Sequence, residues 1–212
     1  IAIATKGGLG GGMYNLGADY LASCIERSLR RMNIEYIDLY QLHRPDPMTH
    51  PAETARALND ALATGKIHAV GVSNYYPEQV RALRQYLDAP IASNQISISL
   101  NRLDPIYEGL DSGNGLPGDG VLDQCMALEM VPLAYTPLGK GMLARGADND
   151  GATEKQIATA AKLAEIAEKR NATPGQVALA WLMAHPAGIV PLVGSGNPDH
   201  IREAAGAAKI AL

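Results

Sequence analysis

Apolar residues fall along this chain in short runs, and six of those runs stop at a glycine or a polar side chain. The stops are Lys6, His43, Ser73 with Asn74, Gln95, Tyr135, and Gly194 with Ser195. The runs predict strands over residues 1–5, 37–42, 66–72, 93–96, 131–135 and 188–193. Between them apolar residues recur at helical spacing, as Leu21, Ile25, Leu29 and Met32 do within residues 18–32, and as Val80, Leu83 and Leu87 do after Pro77. Further helices are predicted over residues 52–63, 121–128, 153–169 and 174–184, and from Pro198 onward. Pro51, Pro77 and Pro174 sit where a first helical turn has no use for an N–H, and Thr173 offers an N-cap oxygen. Residues 101–119, where Gly, Pro, Asp and Asn cluster, read as loop, as does the glycine-rich stretch after Lys6.

Strands that alternate with amphipathic helices imply a parallel sheet, because each return of the chain needs a crossover helix. An open doubly wound sheet usually marks its nucleotide site with GxGxxG after the first strand. Here polar residues end every strand, which suits a barrel whose active site lies at the carboxyl ends of its strands. The expected fold class is α/β, a (β/α)8 TIM barrel with about six βα units present, in a single domain over residues 1–212. Ile1, rather than Met, opens the chain inside a predicted strand, so the chain is expected to start partway through its fold.

With 47% hydrophobic and 19% charged residues over 212 positions, the chain has the balance of a globular protein with one well-buried core. A net charge of -4 with dispersed lysines and arginines leaves no basic field for nucleic acid. The longest apolar stretch, VALAWLMA, falls short of the roughly 20 residues that span a bilayer. Neither nucleic acid nor membrane is expected as a partner. Cys24 and Cys125 lie in helical patterns, which suits free thiols in a reducing compartment, and a cytoplasmic location is expected.

The segments TKGG, LYQLHRPDP, GVSN, NQISIS, AYTPLGKGML and PLVGSGNPDHIREA occur in the order and at the spacing found in aldo-keto reductases, which the chain resembles over nearly its whole length. The LHRPDP form is most similar to a bacterial oxidoreductase subgroup of that family. In the family TKGG follows the third of eight strands, so the resemblance runs from strand three to the helix after strand eight. It implies a metal-free NAD(P)H-dependent oxidoreductase that reduces aldehyde or ketone carbonyls, or oxidises the corresponding alcohols, by hydride transfer.

Such chemistry needs a hydride donor held against the carbonyl carbon and an acid that protonates the oxygen. The resemblance matches Lys6 to the family lysine that lowers the pKa of a catalytic tyrosine, and His43 to the histidine that orients the carbonyl. Without that context, Lys6 would read as a strand-end side chain reaching solvent, and His43 as a partner for loop backbone. The family's tyrosine and its lysine-paired aspartate fall upstream of Lys6. Tyr14 lies on the right rim, but packing on a helix is the simpler reading. The chain alone is therefore expected to show little carbonyl reduction. His50, His68 and His185 read as structural or surface residues.

For the cofactor, the resemblance matches Ser73, Asn74 and Gln95 to the side chains that bond the nicotinamide carboxamide, and Tyr135 to the residue that stacks on the ring. Ser73 and Asn74 could also cap the next helix, whereas Gln95 in its apolar run would be costly without a partner. Thr136, Pro137, Leu138, Gly139, Lys140 and Gly141 resemble the loop over the pyrophosphate. Gly194, Ser195 and Gly196, with His200, match the adenosine end. Members preferring NADP usually carry a cation in that turn and an arginine at the position of His200. This turn has none, so NAD or dual use stays open beside the NADP that the resemblance favours, and Arg202 is a candidate to compensate. Two other readings stand beside the reductase: a non-catalytic nicotinamide-nucleotide-binding regulatory subunit of the same fold, and another phosphate-binding barrel enzyme. Substrate identity and self-association are not legible.

Overall fold

The structure, a computed structural model, describes residues 1–10, 12–107, 120–145 and 152–212. The chain divides into two compact units, one of Ile1–Gln95 with Gln124–Met130 and one of Ile96–Asp123 with Val131–Leu212.

The first unit opens with β1 (Ala4–Gly7), a small antiparallel hairpin of β2 (Leu9–Gly10) and β3 (Met13–Tyr14), and α1 (Ala18–Met32). It continues through β4 (Ile37–Leu42), α2 (Pro51–Ala63), β5 (Ile67–Ser73), α3 (Pro77–Arg84) and, up to Gln95, β6 (Ile91–Ser97). The strands β1, β4, β5 and β6 lie side by side, all parallel, so their carboxyl ends share one rim. The register sets Lys6 opposite Gln41, Gln41 opposite Gly71, and Gly71 opposite Ser93, with Ser73 opposite Gln95 one step nearer the rim.

Helix α1 forms where its apolar positions recur three and four apart, and it buries Leu21, Cys24, Ile25 and Leu29. It stops at Asn33, which takes the left-handed conformation at φ 53°. Helix α2 starts at Pro51, and the His50 ring nitrogen Nδ1 accepts from the Ala52 N–H at 3.2 Å. Leu21, Ile25, Leu42, Leu58, Val72 and Val80 meet in the core between these helices and the sheet. Each such side chain adds about 1.5–3 kcal/mol over leaving it in water.

The second unit holds α4 (Asp104–Tyr107), the start of α5 (Val121–Ala127), β7 (Val131–Tyr135), α6 (Met142–Arg145), α7 (Glu154–Arg170), α8 (Pro174–Met183), β8 (Val190–Pro191) and α9 (Pro198–Ala205). Strands β7 and β8 are parallel, with Leu133 opposite Val190. Helix α8 buries Val177, Ala178, Leu179, Ala180 and Leu182, so the chain's longest apolar stretch is a core helix. Thr173 and Gln176 cap it reciprocally, each side chain bonding the other's backbone N–H at 3.2 and 3.0 Å. No helix among the described residues is long and apolar enough to cross a membrane.

Four expectations change. The first strand runs from Ala4 to Gly7 rather than over residues 1–5. The glycine-rich stretch after it folds into the β2–β3 hairpin, because Gly8 and Gly12 adopt φ of 90° and 79° and let so short a chain reverse. The strand expected over residues 188–193 pairs only at Val190–Pro191, where proline removes a ladder donor. Within residues 101–119 the structure describes a one-turn helix, α4, and the rest of that expected loop, residues 108–119, lies outside the described residues.

Candidate active site

At the rim of the first unit the strand ends are tied together by side chains. Ser73 Oγ donates to the Gln95 carbonyl at 2.9 Å, and the Asn74 N–H donates to the same oxygen at 2.9 Å. Asn74 Nδ2 donates to Ser73 Oγ at 2.9 Å and lies 3.5 Å from the His43 carbonyl. The Lys6 ammonium donates to Gln95 Oε1. Gln95 Nε2 in turn donates to Gln41 Oε1 at 3.2 Å. His43 is anchored by its backbone N–H on the Gly7 carbonyl at 2.8 Å. Lys6, His43, Ser73, Asn74 and Gln95 thus lie together at one rim, and Ser73 and Gln95 are buried. Neither Ser73 nor Asn74 caps α3, whose N-cap is Tyr76 with its N–H on Gln79 Oε1 at 2.9 Å. Asn74 adopts φ 59°, a left-handed turn that asparagine tolerates better than most residues.

Burial holds the Lys6 ammonium below its ordinary value of 10.5. Burial, then the charges of Lys6 and Arg44, hold the His43 ring below 6.5. His43 is therefore neutral at pH 7, with one ring N–H to donate and one nitrogen to accept. Because its folded value is depressed, its contribution to stability is present above 6.5 and is lost as pH falls through the lower folded value.

The second unit encloses a cavity of about 750 Å³, lined among others by Tyr135, Thr136, Pro137, Leu138, Gly194, Ser195 and His200. That is the range of small-molecule and cofactor sites. Gly139 and Gly196 are not among its lining residues, although both belong to the turns that form it. The turn after β7 takes positive φ at Thr136, Gly139, Lys140 and Gly141, with values of 57°, 56°, 58° and 87°. For a β-branched residue such as Thr136 that conformation is strained, and strain of this kind gathers at ligand sites. A Cβ at Gly194 or Gly196 would meet nothing within 4 Å, so backbone there lies open to a ligand. The Ser195 hydroxyl and His200 Nδ1 are 3.3 Å apart.

Sequence reasoning missed residues in both units. Gln41 and Ser93 belong to the buried polar set, and the signal was their place two residues before His43 and Gln95, on the same strand face. Arg145, which the sequence did not single out, and Lys140, from the loop matched to the pyrophosphate, line the cavity and supply the cations that the turn at Gly194–Gly196 lacks. Arg202, the candidate for that task, is instead paired with Asp199 at 2.7 Å and is absent from the cavity lining. Glu203 also lines the cavity and accepts from the Thr173 hydroxyl at 2.6 Å. Tyr14, on β3, is 47% exposed. His68 stacks on Tyr36, and His185 Nδ1 accepts from the Ala187 N–H at 3.2 Å.

The aldo/keto reductase family model matches residues 1–212. The chain is 42% identical over 209 residues to 6-dehydroglucose reductase of Novosphingobium aromaticivorans, covering 98% of this chain and 64% of that protein. It is 34% identical to 6-dehydroglucose reductase of Agrobacterium fabrum, covering 94% of this chain and 61% of that protein. The structure superposes on an aldo/keto reductase from Klebsiella pneumoniae, solved with NADP and acetate, at a TM-score of 0.77 and 25% identity, covering 100% of this chain and 66% of that one. The chain thus spans a little over three fifths of the curated relatives, 64% and 61% of their lengths. The fold class is that of the (β/α)8 barrel, with about six of the βα units in this chain. With a family model matched from the first residue to the last, and a half-buried lysine bonded to a buried glutamine beside a buried serine at one strand rim, this chain belongs to the aldo/keto reductase family.

Proposed function

We propose that the protein is an NAD(P)H-dependent reductase of aldehyde or ketone carbonyls and that residues 1–212 belong to a single barrel domain. The observation that carries this reading is the bonded set of Lys6, Gln95, Ser73 and Asn74 at one rim, with neutral His43 beside it. A neutral imidazole N–H can donate to a carbonyl oxygen and gain strength as charge develops there. Lys6, held below its usual value, is suited to favour the ionised form of a neighbouring phenol. Ser73 and Asn74 offer polar atoms that would orient a carboxamide.

In the second unit the cavity fits a nicotinamide dinucleotide. Lys140, Arg145 and His200 would meet phosphate, the open backbone at Gly194 and Gly196 would admit it closely, and Tyr135 offers an aromatic face. When bound, the dinucleotide supplies the hydride. NADP is the favoured form, since Lys140 and Arg145 are cations beside His200, while the Glu203 carboxylate leaves NAD open. A cytoplasmic location accords with two free, buried cysteines. The names of the relatives make oxidised sugars the first carbonyls to assay. The relatives' names also weigh against the regulatory-subunit alternative.

The test is NADPH and NADH oxidation with sugar aldehydes, simple aldehydes and ketones. In a chain extended upstream to the length of the relatives, turnover with at least one class is expected and Lys6→Met should lower it by about a hundredfold or more, whereas residues 1–212 alone should show little. No turnover with any class in the extended chain, or full turnover in its Lys6→Met variant, overturns the reading.

A further inference from the structure

Lys6, Gln41, Gly71 and Ser93 stand opposite one another on β1, β4, β5 and β6, forming one row across the sheet. Gln41 and Ser93 are each only 2% exposed, and Gln95, one step nearer the rim, is 5% exposed. An amide so buried is costly unless its oxygen and nitrogen both find partners. Gln41 finds them on both ends. Its Oε1 accepts from Gln95 Nε2 at 3.2 Å, and its Nε2 faces Ser93 Oγ at 3.3 Å and the Val72 carbonyl at 3.5 Å.

The two ends of this chain can each play one part only. An ammonium has donors and no acceptor, and a backbone carbonyl has acceptors and no donor. Hydrogen bonds must therefore run one way, from Lys6 to Gln95, from Gln95 to Gln41, and from Gln41 to the Val72 carbonyl. Turning the Gln95 amide over would set its N–H groups against the ammonium and its oxygen against Gln41 Oε1. Turning Gln41 over would set its oxygen against the Val72 carbonyl. Gly71 makes the row fit, because a Cβ there would lie 2.4 Å from Ser93 Oγ and 3.0 Å from Gln41 Cγ.

We propose that Gln41 is a positioning residue: held by Ser93 and the Val72 carbonyl, it fixes the Gln95 amide with its oxygen toward Lys6 and so fixes the ammonium at the rim. Its consequence for turnover rests on the reductase reading, but its effect on Lys6 does not. Gln41→Met keeps the length and removes both hydrogen bonds. Gln41→Glu keeps the acceptor for Gln95 and adds a negative charge.

The readout is the Lys6 titration followed by NMR on labelled lysine, with Lys6→Met to assign the signal and thermal unfolding to check each variant. The Lys6 midpoint is expected to fall by about half a pH unit or more in Gln41→Met and to rise in Gln41→Glu. General loss of packing would not produce opposite signs. In turnover assays, Gln41→Met should lower kcat by about tenfold or more with KM changed less than about threefold. Where either variant fails to fold, Ser93→Ala replaces it, with a smaller fall of the midpoint expected. An unmoved Lys6 midpoint in the folded variants overturns the proposal. The expected shifts in a protein that reduces no carbonyl would uphold the positioning and defeat the reductase reading.

Discussion

Tyr40 is fully buried, and its hydroxyl finds no hydrogen-bond partner among the described residues. Burial pushes its ionisation well above the ordinary phenol value of 10. It lies against Gly7, where an added Cβ would fall within van der Waals overlap of that hydroxyl. A buried, unpaired hydroxyl costs about 1–3 kcal/mol. Tyr40→Phe is accordingly expected to leave stability unchanged or raise it by about 1 kcal/mol in chemical denaturation; a loss of more than that would mean the hydroxyl is in fact satisfied. At this scale the sequence told unevenly. Lys6 and His43 were legible because each stands at the end of an apolar run, and Gln95 because an amide within such a run is costly without a partner. Gln41 was not, since a single polar residue inside such a run acquires meaning only once the strand beside it, and Gly71 across from it, are known.

Among the elements, boundaries were most legible where the signal is local. Helix α1 and strands β4 and β7 fall on the expected residues, because apolar spacing and strand-ending polar groups decide them. The β2–β3 hairpin, the short β8 and the one-turn helices depend on glycine torsions or on pairing to a distant strand, which periodicity does not carry. Helix α8 offers a clean test of a local device. Its polar N-terminus relies on Thr173 and Gln176, whereas the rest is held by core packing. Thr173→Ala should destabilise the protein by about 1 kcal/mol, and Thr173→Ser by much less. Equal effects of the two would show that the cap hydroxyl contributes nothing, and that the bond from Thr173 to Glu203 is equally idle.

For the molecule as a whole, a net charge of -4 says little about where an anion would go. The cavity of the second unit gathers Lys140, Arg145 and His200 against the average. Lys140 and Arg145 come from the turn and helix after β7, far in sequence from the glycines at 194 and 196, which is why the turn at 194–196 reads by itself as lacking a cation. A ligand that binds only the folded protein raises its stability by about 2.7 kcal/mol at a hundred times its Kd. NADP is expected to raise Tm more than NAD does at equal concentration. His200→Arg should widen that gap, by about 1.5–3 kcal/mol of binding, as one charge-assisted contact does. Equal shifts with both dinucleotides, before and after the substitution, would remove His200 from the phosphate.

Gly71 has no room for even a methyl group, and the space it leaves is taken up by side chains from the strands on either side. Drift at this site is therefore not a private matter of one strand. A lineage that acquires alanine there must turn or shorten the Ser93 side chain and make Gln41 give way, so a change on one strand is felt on both of its neighbours.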